Sequence, residues 1–442
     1  MLVSLFDGAV RRRPAASEPE SPSAMRHRCA SALTLADLEA MDRDDPLRTL
    51  RDAFMLPDGV VYLDGNSLGA LPRETPTRLQ QVAAGQWGQD LVRSWTAHDW
   101  IGAPQRVGDK IARLIGAGPG EVVVSDSTSV NLFKLLAAAS RLRPGRSVIL
   151  SEPGNFPNDL YVAQGLQGLS NGRIELHLAS ADQIETAIDG RVAVVLLTHV
   201  HYKSAAVHDM ARITARAHAQ GALTLWDLSH STGAVRVDLN AAQADFAVGC
   251  GYKYLNGGPG APAYLFVAQR HQATTASPIT GWLGHARPFD FVDDYAPAPG
   301  IDRFLAGSHP ILGIAALEVG VDLMLRTDAQ CRVDKSRALS ELFVALVESR
   351  CAGQGLELAS PRDAEARGSH VAFRNAQAYA VIQALIGRGV IGDFRAPDLM
   401  RFGFAPLYNR HADIWHAVET LRDVLQTAAW DRPEFKQRHT VT

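Results

Sequence analysis

The segment ADFAVGCGYKYLNGGPGAP, from Ala244 to Pro262, runs from an apolar strand pattern into glycines and prolines, and it holds a single lysine, Lys253. A second apolar run, ALTLWDL, carries Asp227, 26 residues before that lysine. This spacing leaves room for one strand, a loop and the next strand. In an open parallel sheet, side chains that follow neighbouring strands meet at one edge. The sequence therefore predicts that a lysine and a carboxylate lie close together.

Strand-like and helix-like segments alternate through the middle of the chain. The strand-like segments are EVVVSD, RSVILSE, RIELHLA, VAVVLLTHV, ALTLWDL and ADFAVGCG, at 121–126, 146–152, 173–179, 192–200, 222–228 and 244–251. The continuously apolar ones are typical of strands buried on both faces. The helix-like segments include SADQIETAI, with Ser180 as its cap, and the stretch from Met210 to Ala219. This order predicts an α/β fold in which helices flank a mostly parallel sheet.

The chain divides into parts of different texture. After about residue 310 it becomes helix-rich, with the strand-like stretches HVAFRN and MRFGFAP. We predict a disordered N-terminal extension over residues 1–32, a segment over 33–72 that packs with the small domain, a large domain over 73–310, and a small α+β domain over 311–442. The extension is rich in Arg, Pro, Ser and Glu, which is typical of disorder, and Met25 is a candidate start.

Composition and charge narrow the choice of partners. The 442 residues are 46% hydrophobic and 21% charged, with a formal net charge of −3, so nothing favours nucleic acid or a membrane as partner. No apolar run reaches the length of about 18 residues that a membrane span requires. The cysteines fit no metal or redox motif, which predicts free thiols in the cytoplasm and no metal site. They are Cys29, Cys250, Cys331 and Cys351.

Residues able to bind or react follow the predicted strands. They are Ser127, Thr128, Ser129, Phe156, His199, Lys203, Ser204, Asp227, His230, Tyr252 and Lys253. Each alone has an ordinary explanation, such as a helix cap for the hydroxyls or core packing for the phenylalanine. Together they match the needs of pyridoxal phosphate, which requires a lysine able to lose its proton, an acid for its pyridine nitrogen, a ring to stack on and an anion cradle.

Four stretches resemble motifs of the kynureninases, a family of fold-type-I pyridoxal-phosphate enzymes. They are YLDGNSLG (Tyr62 to Gly69), FPND (Phe156 to Asp159), WDLSHSTGAVRVDLN followed by ADFAVGCGYKYLNGGPGAP, and RFGFAPLYN (Arg401 to Asn409). The likeness runs from about Leu33 to near the C-terminus. It implies the fold of pyridoxal-phosphate-dependent transferases, with a seven-stranded sheet and a smaller α+β domain. It also implies hydrolysis of L-kynurenine, or its 3-hydroxy form, to an anthranilate and L-alanine in tryptophan catabolism.

The resemblance also implies roles at a cofactor site. Lys253 would bind pyridoxal phosphate covalently, Asp227 would pair with its pyridine nitrogen, and Phe156 would stack on its ring. The other residues implied to contact the cofactor are Thr128, Ser129, Asp159, Ser204, His230 and Tyr252, with Trp282 and Ser308 reaching it from the neighbouring subunit of a homodimer. Tyr252 is the candidate for proton transfer beside Lys253, and the alternative is that its hydroxyl only binds phosphate.

The substrate side of the site is less defined by sequence. Arg401 would bind the α-carboxylate, a group that a guanidinium fork matches. Candidates for the aryl pocket are Trp95, His98, Trp100 and His309, with ordinary packing as the alternative. Ser308 stands where some relatives have Asn or Thr, which would weaken the contact between subunits.

Two other interpretations stay open. A cysteine desulfurase or an aminotransferase would share the lysine and the aspartate, but a desulfurase also needs a mobile cysteine. None fits well, since Cys331 and Cys351 lie in helical patterns and Cys250 ends a buried strand. The second interpretation is a catalytically silent pyridoxal-phosphate-binding scaffold, which would not need its reactive lysine. The sequence does not rank kynurenine against 3-hydroxykynurenine.

Overall fold

The computed structural model describes residues 32–438. Nearly all of the predicted disordered extension, with Cys29 and the candidate start at Met25, lies outside these residues. The described strands are β1 Phe54–Met55, β2 Val61–Tyr62, β3 Leu71–Pro72, β4 Val122–Val124, β5 Val148–Ser151, β6 Glu175–Leu178, β7 Val192–Thr198, β8 Leu223–Asp227, β9 Phe246–Gly249, β10 Tyr264–Val267, β11 Glu357–Leu358, β12 His370–Arg374, β13 Val390–Ile391, β14 Asp393–Arg395 and β15 Leu399–Gly403.

A seven-stranded sheet with the order β4–β10–β9–β8–β7–β5–β6 forms the centre of the molecule. The strands from β6 through β5, β7 and β8 to β9 are parallel to their neighbours. β10 runs antiparallel to β9 on one side and to β4 on the other. The prediction of an α/β fold with a mostly parallel sheet is confirmed.

Alternate side chains of the central strands enter two different cores. On β7, Val195 and Leu197 belong to one hydrophobic cluster, whereas Val194 and Leu196 belong to another. Every residue of this strand is buried. Burial on both faces explains why the strand carries an unbroken apolar run and no period-two alternation.

Helices cover both faces of the sheet. The α-helices are Leu35–Asp44, Thr75–Gln80, Gly88–Asp90, Ser94–Ala97, Ala103–Leu114, Thr128–Arg141, Pro157–Leu169, Ile184–Ala187, Met210–Ala219, Gln269–Gln272, Ile311–Leu325, Ala329–Arg350, Ala378–Ile386, His411–Gln426 and Pro433–Lys436. Arg48–Ala53, Leu91–Arg93, Trp282–Gly284 and Gly300–Phe304 are 3₁₀-helices, and Gln81–Trp87 is a π-helix. Within residues 32–438, none of these helices is both long and apolar enough to cross a membrane.

The end of β9 differs from the prediction. The strand expected over 244–251 ends at Gly249, so Lys253 lies in the loop beyond it. The chain then returns antiparallel as Tyr264–Val267, a strand that we did not predict. The glycines and prolines before Tyr264 indicated a loop, so the four-residue strand after them was missed. The loop separates the two strands in sequence, but the strands still pair.

The predicted helix cap at Ser180 is wrong. The helix in that region covers only Ile184–Ala187, and Gln183 precedes it without a side-chain cap. The carbonyl of Ser180 instead accepts a hydrogen bond from the Gln183 N–H, with an N···O distance of 2.7 Å, which closes a turn. By contrast, Thr34 caps the first described helix, because its side chain accepts a hydrogen bond from the Asp37 N–H.

A second, smaller sheet with the antiparallel order β11–β12–β15–β14 lies in the C-terminal part. The helices Ala329–Arg350 and His411–Gln426 contribute to its core. The N-terminal segment contacts this part, since β2 pairs with β13 and Leu38 lies in the same core. The helix Ile311–Leu325, however, sends Leu317 into the core of the large sheet. The domain boundary at residues 310 and 311 therefore stays a prediction.

Candidate active site

Lys253 lies at the edge of the sheet where the parallel strands end, and its side chain is enclosed. The residue is 8% exposed. Its Nζ is 3.0 Å from His230 Nε2, and it lies 5.6 Å from the ring centroid of Phe156 and 5.9 Å from that of Tyr252. The amine thus meets two aromatic rings and one imidazole nitrogen. This position suits a lysine that acts as a nucleophile towards a carbonyl group.

Two buried carboxyl groups lie beside the lysine. Asp227 closes β8 and accepts a hydrogen bond from the Ser229 N–H at 2.8 Å. Asp159 is fully buried in the first turn of its helix, and its Oδ2 has no hydrogen-bond partner among the residues that the structure describes. Burial raises the pKa of Asp227, and burial with the nearby charge of Asp227 raises the pKa of Asp159 well above its usual range. One acid of the pair can therefore keep a proton while the other is charged.

Two neutral imidazoles continue the site. Burial and the charge of Lys253 hold the pKa of His230 well below its usual range, and its Nδ1 has no hydrogen-bond partner in the described part of the chain. Its ring centroid is 5.3 Å from that of His370, whose two ring nitrogens also lack hydrogen-bond partners there. Burial and the charge of Arg401 lower the pKa of His370 in the same direction. Buried polar atoms are nearly always hydrogen-bonded, so these nitrogens are places for a ligand or water.

Near Lys253 lie the partly exposed ring of Phe156 and the N-terminus of the helix Thr128–Arg141, which carries two hydroxyl groups. Phe156 is 37% exposed although it is a large apolar residue, and it packs edge-on against Tyr202 at 5.2 Å. Ser127 caps the helix Thr128–Arg141, which leaves the Thr128 and Ser129 hydroxyls on its first turn. Ser129 donates to Asn158 at 2.6 Å. The free N–H groups of a helix N-terminus favour phosphate.

Arg401 is held by another acid rather than lying free for a substrate. It is 1% exposed, and its Nε donates to Asp393 Oδ1 at 2.7 Å while its Nη2 donates to Asp393 Oδ2. Its other donors reach Ser67 Oγ at 3.2 Å and the Tyr202 carbonyl. Asp393 therefore occupies the fork that the sequence assigned to the substrate. Arg395, 2.7 Å from the same carboxylate, has a side chain that is 32% exposed.

Three of the expected cofactor residues make other contacts. Ser204 Oγ is 3.1 Å from His201 Nδ1. Trp282 is 40% exposed and packs against Phe289 at 5.8 Å, and Ser308 is exposed. Within residues 32–438, no hydrogen bond, ion pair or ring contact joins these three to Lys253. Exposure of Trp282 and Ser308 is compatible with the expected role in a neighbouring subunit.

The aryl-pocket candidates separate into two groups. The ring of Trp95 lies 5.8 Å from that of Trp100 and 6.3 Å from that of His309. Burial lowers the pKa of His309 to about 4, and none of the described residues is a hydrogen-bond partner of its Nε2. His98 instead lies with its Nε2 2.8 Å from Asp90. The first three residues form an apolar corner with one neutral imidazole.

Comparison with known proteins places the chain in a family. Residues 333–421 match the family described as the kynureninase C-terminal domain. A protein named kynureninase from Burkholderia pseudomallei (strain K96243) is 53% identical over 409 residues, covering 91% of this chain and 98% of the relative. The chain belongs to the kynureninase family. A second kynureninase, from Pseudomonas fluorescens, is 49% identical over 414 residues, covering 92% of this chain and the whole relative.

Solved structures agree with the fold of this kynureninase-family chain. An apo cysteine desulfurase from Thermococcus onnurineus NA1 has a TM-score of 0.72 at 17% identity, covering 86% of this chain and 98% of the other. A cystine C–S lyase in complex with cysteine persulfide has a TM-score of 0.72 at 16% identity, covering 83% and 98%. At such identities the likeness concerns the fold alone. It confirms the predicted fold class.

The residues of the site fit the pyridoxal phosphate that the family implies. Oδ2 of Asp159 and Nδ1 of His230 are buried polar atoms that have no hydrogen-bond partner between residues 32 and 438. They lie in the pocket of Lys253, beside a phenyl ring available for stacking. A heteroaromatic ring with polar substituents and a phosphate matches these features.

Several residues of the site were missed by sequence reasoning. His370 begins β12, and Asp393 and Arg395 belong to the short strand β14. Asp64 and Ser67 stand inside the quoted motif YLDGNSLG, which was the available signal. The other three carry no local signal, because only the tertiary pairing of β12, β14 and β15 brings them to Arg401.

Proposed function

We propose that the protein hydrolyses L-kynurenine, 3-hydroxy-L-kynurenine or both, with pyridoxal phosphate as cofactor, giving L-alanine and the corresponding anthranilate. The observation that carries this proposal is the 53% identity, across 91% of the chain, to proteins named kynureninase. The pocket around Lys253 supports it, since an amine, an acid pair and a stacking ring lie together there.

Each wall of the pocket would hold one part of the cofactor. Lys253 would carry it covalently, Asp227 would bind the pyridine nitrogen with Asp159 behind it, and Phe156 would stack on the ring. The phosphate would lie at the first turn of the helix Thr128–Arg141, near Ser129 and Tyr252. His230 would bind a ring substituent, and Ser204 would act from its neighbouring loop. When bound, pyridoxal phosphate supplies an electron sink for charge released at the substrate Cα.

The protein side chains would move the protons of the reaction. The freed amine of Lys253 would remove the substrate α-proton, and the neutral His230, 3.0 Å away, would orient that amine. Water would add to the γ-carbonyl carbon, and the Cβ–Cγ bond would then break. The hydroxyl would stay on the aryl acid, and a proton would reach Cβ. We assign Tyr252 to this proton transfer, because burial keeps its hydroxyl protonated by raising its pKa.

The substrate carboxylate would bind at the two arginines near Ser67. Arg401 already donates hydrogen bonds to Asp393. We therefore assign it a single N–H contact with the substrate carboxylate, together with the attraction of its positive charge. Arg395 has the more accessible guanidinium and would offer the second contact. The aryl group would lie towards Trp95, Trp100 and His309.

We also propose that the protein is a cytoplasmic homodimer. The rings of Trp282, Phe289 and Phe291 form an exposed apolar group, with Phe289 61% and Phe291 76% exposed. Exposed apolar groups of this size mark association surfaces. Trp282 and Ser308 would then reach the phosphate in the neighbouring subunit.

The decisive test compares the wild-type protein with Lys253→Ala. We expect the wild type, loaded with pyridoxal phosphate, to show the near-visible absorbance of a lysine-bound cofactor and to release fluorescent anthranilate from L-kynurenine. The variant should lose that band and at least about a thousandfold of the activity, since both the covalent attachment and the removal of the α-proton would depend on this amine. Kinetics with both substrates would rank them. A protein that shows neither the band nor anthranilate release would refute the proposal.

The desulfurase interpretation finds little support at the cysteines. Cys250, Cys331 and Cys351 are free, but Cys250 and Cys351 are buried and Cys331 lies within a helix. Burial also raises the pKa of Cys250 and of Cys351. A persulfide-forming cysteine needs an accessible thiolate. Sulfide release from L-cysteine, measured in the same preparation, would reinstate this alternative.

A further inference from the structure

Two arginines and one aspartate form the charged end of the pocket. Arg401 Nε donates to Asp393 Oδ1 at 2.7 Å, and Arg395 Nη2 lies 2.7 Å from Asp393 Oδ2. Ser67 Oγ donates to the same oxygen at 2.8 Å. The Asp393 carboxylate is thus surrounded by donors. Two positive charges face one negative charge, and a further anion is needed for neutrality.

Asp64 adjoins this group through the backbone. Its carbonyl accepts hydrogen bonds from the N–H groups of Ser67 at 2.9 Å and Leu68 at 3.1 Å, which closes a turn. Asp64 also forms a parallel bridge with Gly403, which lies two residues beyond Arg401 on β15. Residues two apart on a strand point to the same face. The bridge to Gly403 therefore places the Asp64 carboxyl group on the face of the sheet that carries the guanidinium of Arg401.

The carboxyl group of Asp64 is enclosed and incompletely paired. Its Oδ1 is buried and has no hydrogen-bond partner within residues 32–438. The titratable or polar groups that face it from the surrounding elements are Tyr62, Ser67, Tyr254, Asp393, Arg395, Arg401 and Tyr408. Burial and the charge of Asp393 raise the pKa of Asp64 to about 7, although both arginines oppose the rise. Near neutral pH this acid is therefore divided between its charged and neutral forms.

The charge balance changes when an amino acid enters. With Asp64 ionised, two cations already face two carboxylates. A substrate α-carboxylate would be a third anion among the same two cations, and like charges at close range in a buried site disfavour each other strongly. Protonation of one acid removes this repulsion. Asp64 is the acid most easily protonated, because Asp393 accepts hydrogen bonds from Arg401 and also forms an ion pair with Arg395.

We propose that Asp64 is a substrate-binding residue that takes up one proton when the α-carboxylate of the amino acid binds beside Arg395 and Arg401. This inference rests on the proposed function for the class of ligand, an α-amino acid. The bound state then holds two cations, two carboxylates and one neutral acid. Binding and protonation are coupled, so affinity for the carboxylate falls as the pH rises above the point at which free Asp64 ionises.

Calorimetry on the holoenzyme tests the coupling directly. The probe is benzoylpropionate, which keeps the aryl ketone and the carboxylate of kynurenine but has no amine to bind the cofactor or to titrate. Titrations at about pH 8, in two buffers of different ionisation enthalpy, count the protons taken up. We expect about one proton per bound probe, and a Kd that rises about tenfold per pH unit above neutrality. The uncharged amide of the probe should take up none.

A matched pair of variants identifies the group. Asp64→Asn imitates the neutral acid, so it should bind the probe with little pH dependence and without proton uptake. Asp58→Asn, an exposed acid in the same segment, should behave like the wild type. Uptake that persists in Asp64→Asn, no uptake in the wild type, or no binding of the probe even at about pH 6 would overturn the proposal. The probe is not hydrolysed, so a protein that fails to release anthranilate yet shows this uptake would refute the proposed hydrolysis alone.

Discussion

At the scale of single residues, the position of Tyr252 allows two roles, which are proton transfer beside Lys253 and binding of the cofactor phosphate. Its ring lies 5.9 Å from Lys253 Nζ, and its side chain helps to line a cleft with Asp126 and Ser127, which precede the helix Thr128–Arg141. Burial, together with the nearby Cys250 and Asp227, raises the pKa of its hydroxyl. The hydroxyl therefore keeps its proton at neutral pH, as a proton donor and a phosphate ligand both require.

Replacing Tyr252 by Phe distinguishes these roles. If the hydroxyl transfers a proton during cleavage, Tyr252→Phe should lower kcat about 100-fold, the usual contribution of one acid or base, while the Kd of pyridoxal phosphate changes less than about tenfold. Cofactor titration by absorbance and steady-state kinetics supply the two numbers. An unchanged kcat with weakened cofactor binding would leave the tyrosine only its phosphate contact.

At the scale of structural elements, the motif YLDGNSLG packs directly on the lysine loop. The Gly69 N–H donates to the Tyr252 carbonyl at 2.8 Å. A Cβ on Gly69 would lie 2.3 Å from the Lys253 carbonyl oxygen and 2.5 Å from Asn256 Oδ1. Backbone that close admits no side chain, which explains why the motif ends in glycine at this position.

Gly69→Ala should therefore displace the lysine loop without touching the chemistry itself. A shift of about 1 Å in a reacting group lowers turnover about 100-fold, and we expect a loss of that order in anthranilate release. Gly85→Ala is the control, because a Cβ there meets nothing within 4 Å. Equal kcat values in the two variants would mean that the loop accommodates the added methyl group without displacing Lys253.

The elements also show how far sequence patterns reach. The buried strand Val192–Thr198 and the helix Thr128–Arg141 were predictable, because burial and capping are encoded in consecutive residues. The bidentate pairing of Arg401 with Asp393 was not, since these residues meet only across the paired strands β14 and β15. Lys253, Asp227 and Phe156 were predicted as one group and do lie together, but their roles stay predictions.

At the scale of the whole molecule, the proposed dimer predicts that activity can be rebuilt from two inactive parents. Lys253→Ala removes the amine of a subunit's own site, and Trp282→Ala removes the ring offered to its neighbour. In a mixed dimer, one of the two sites contains neither change. Co-refolded equal mixtures should regain roughly a quarter of wild-type activity, because half of the dimers are mixed.

Sedimentation analysis of the same mixtures controls for assembly. Mixtures that stay inactive while forming dimers would place Trp282 outside the neighbouring site. Mixtures that stay monomeric would instead leave the exposed aromatic group at Phe289 and Phe291 without its proposed role in association.

The antiparallel strand β10 gives the lysine an unusual support. Phe246–Gly249 and Tyr264–Val267 pair along their whole length, so the loop that carries Lys253 is anchored at both ends by main-chain hydrogen bonds. These bonds involve no cofactor atom. The loop should therefore stay folded when the cofactor leaves. The protein without cofactor should then bind new pyridoxal phosphate without first having to refold.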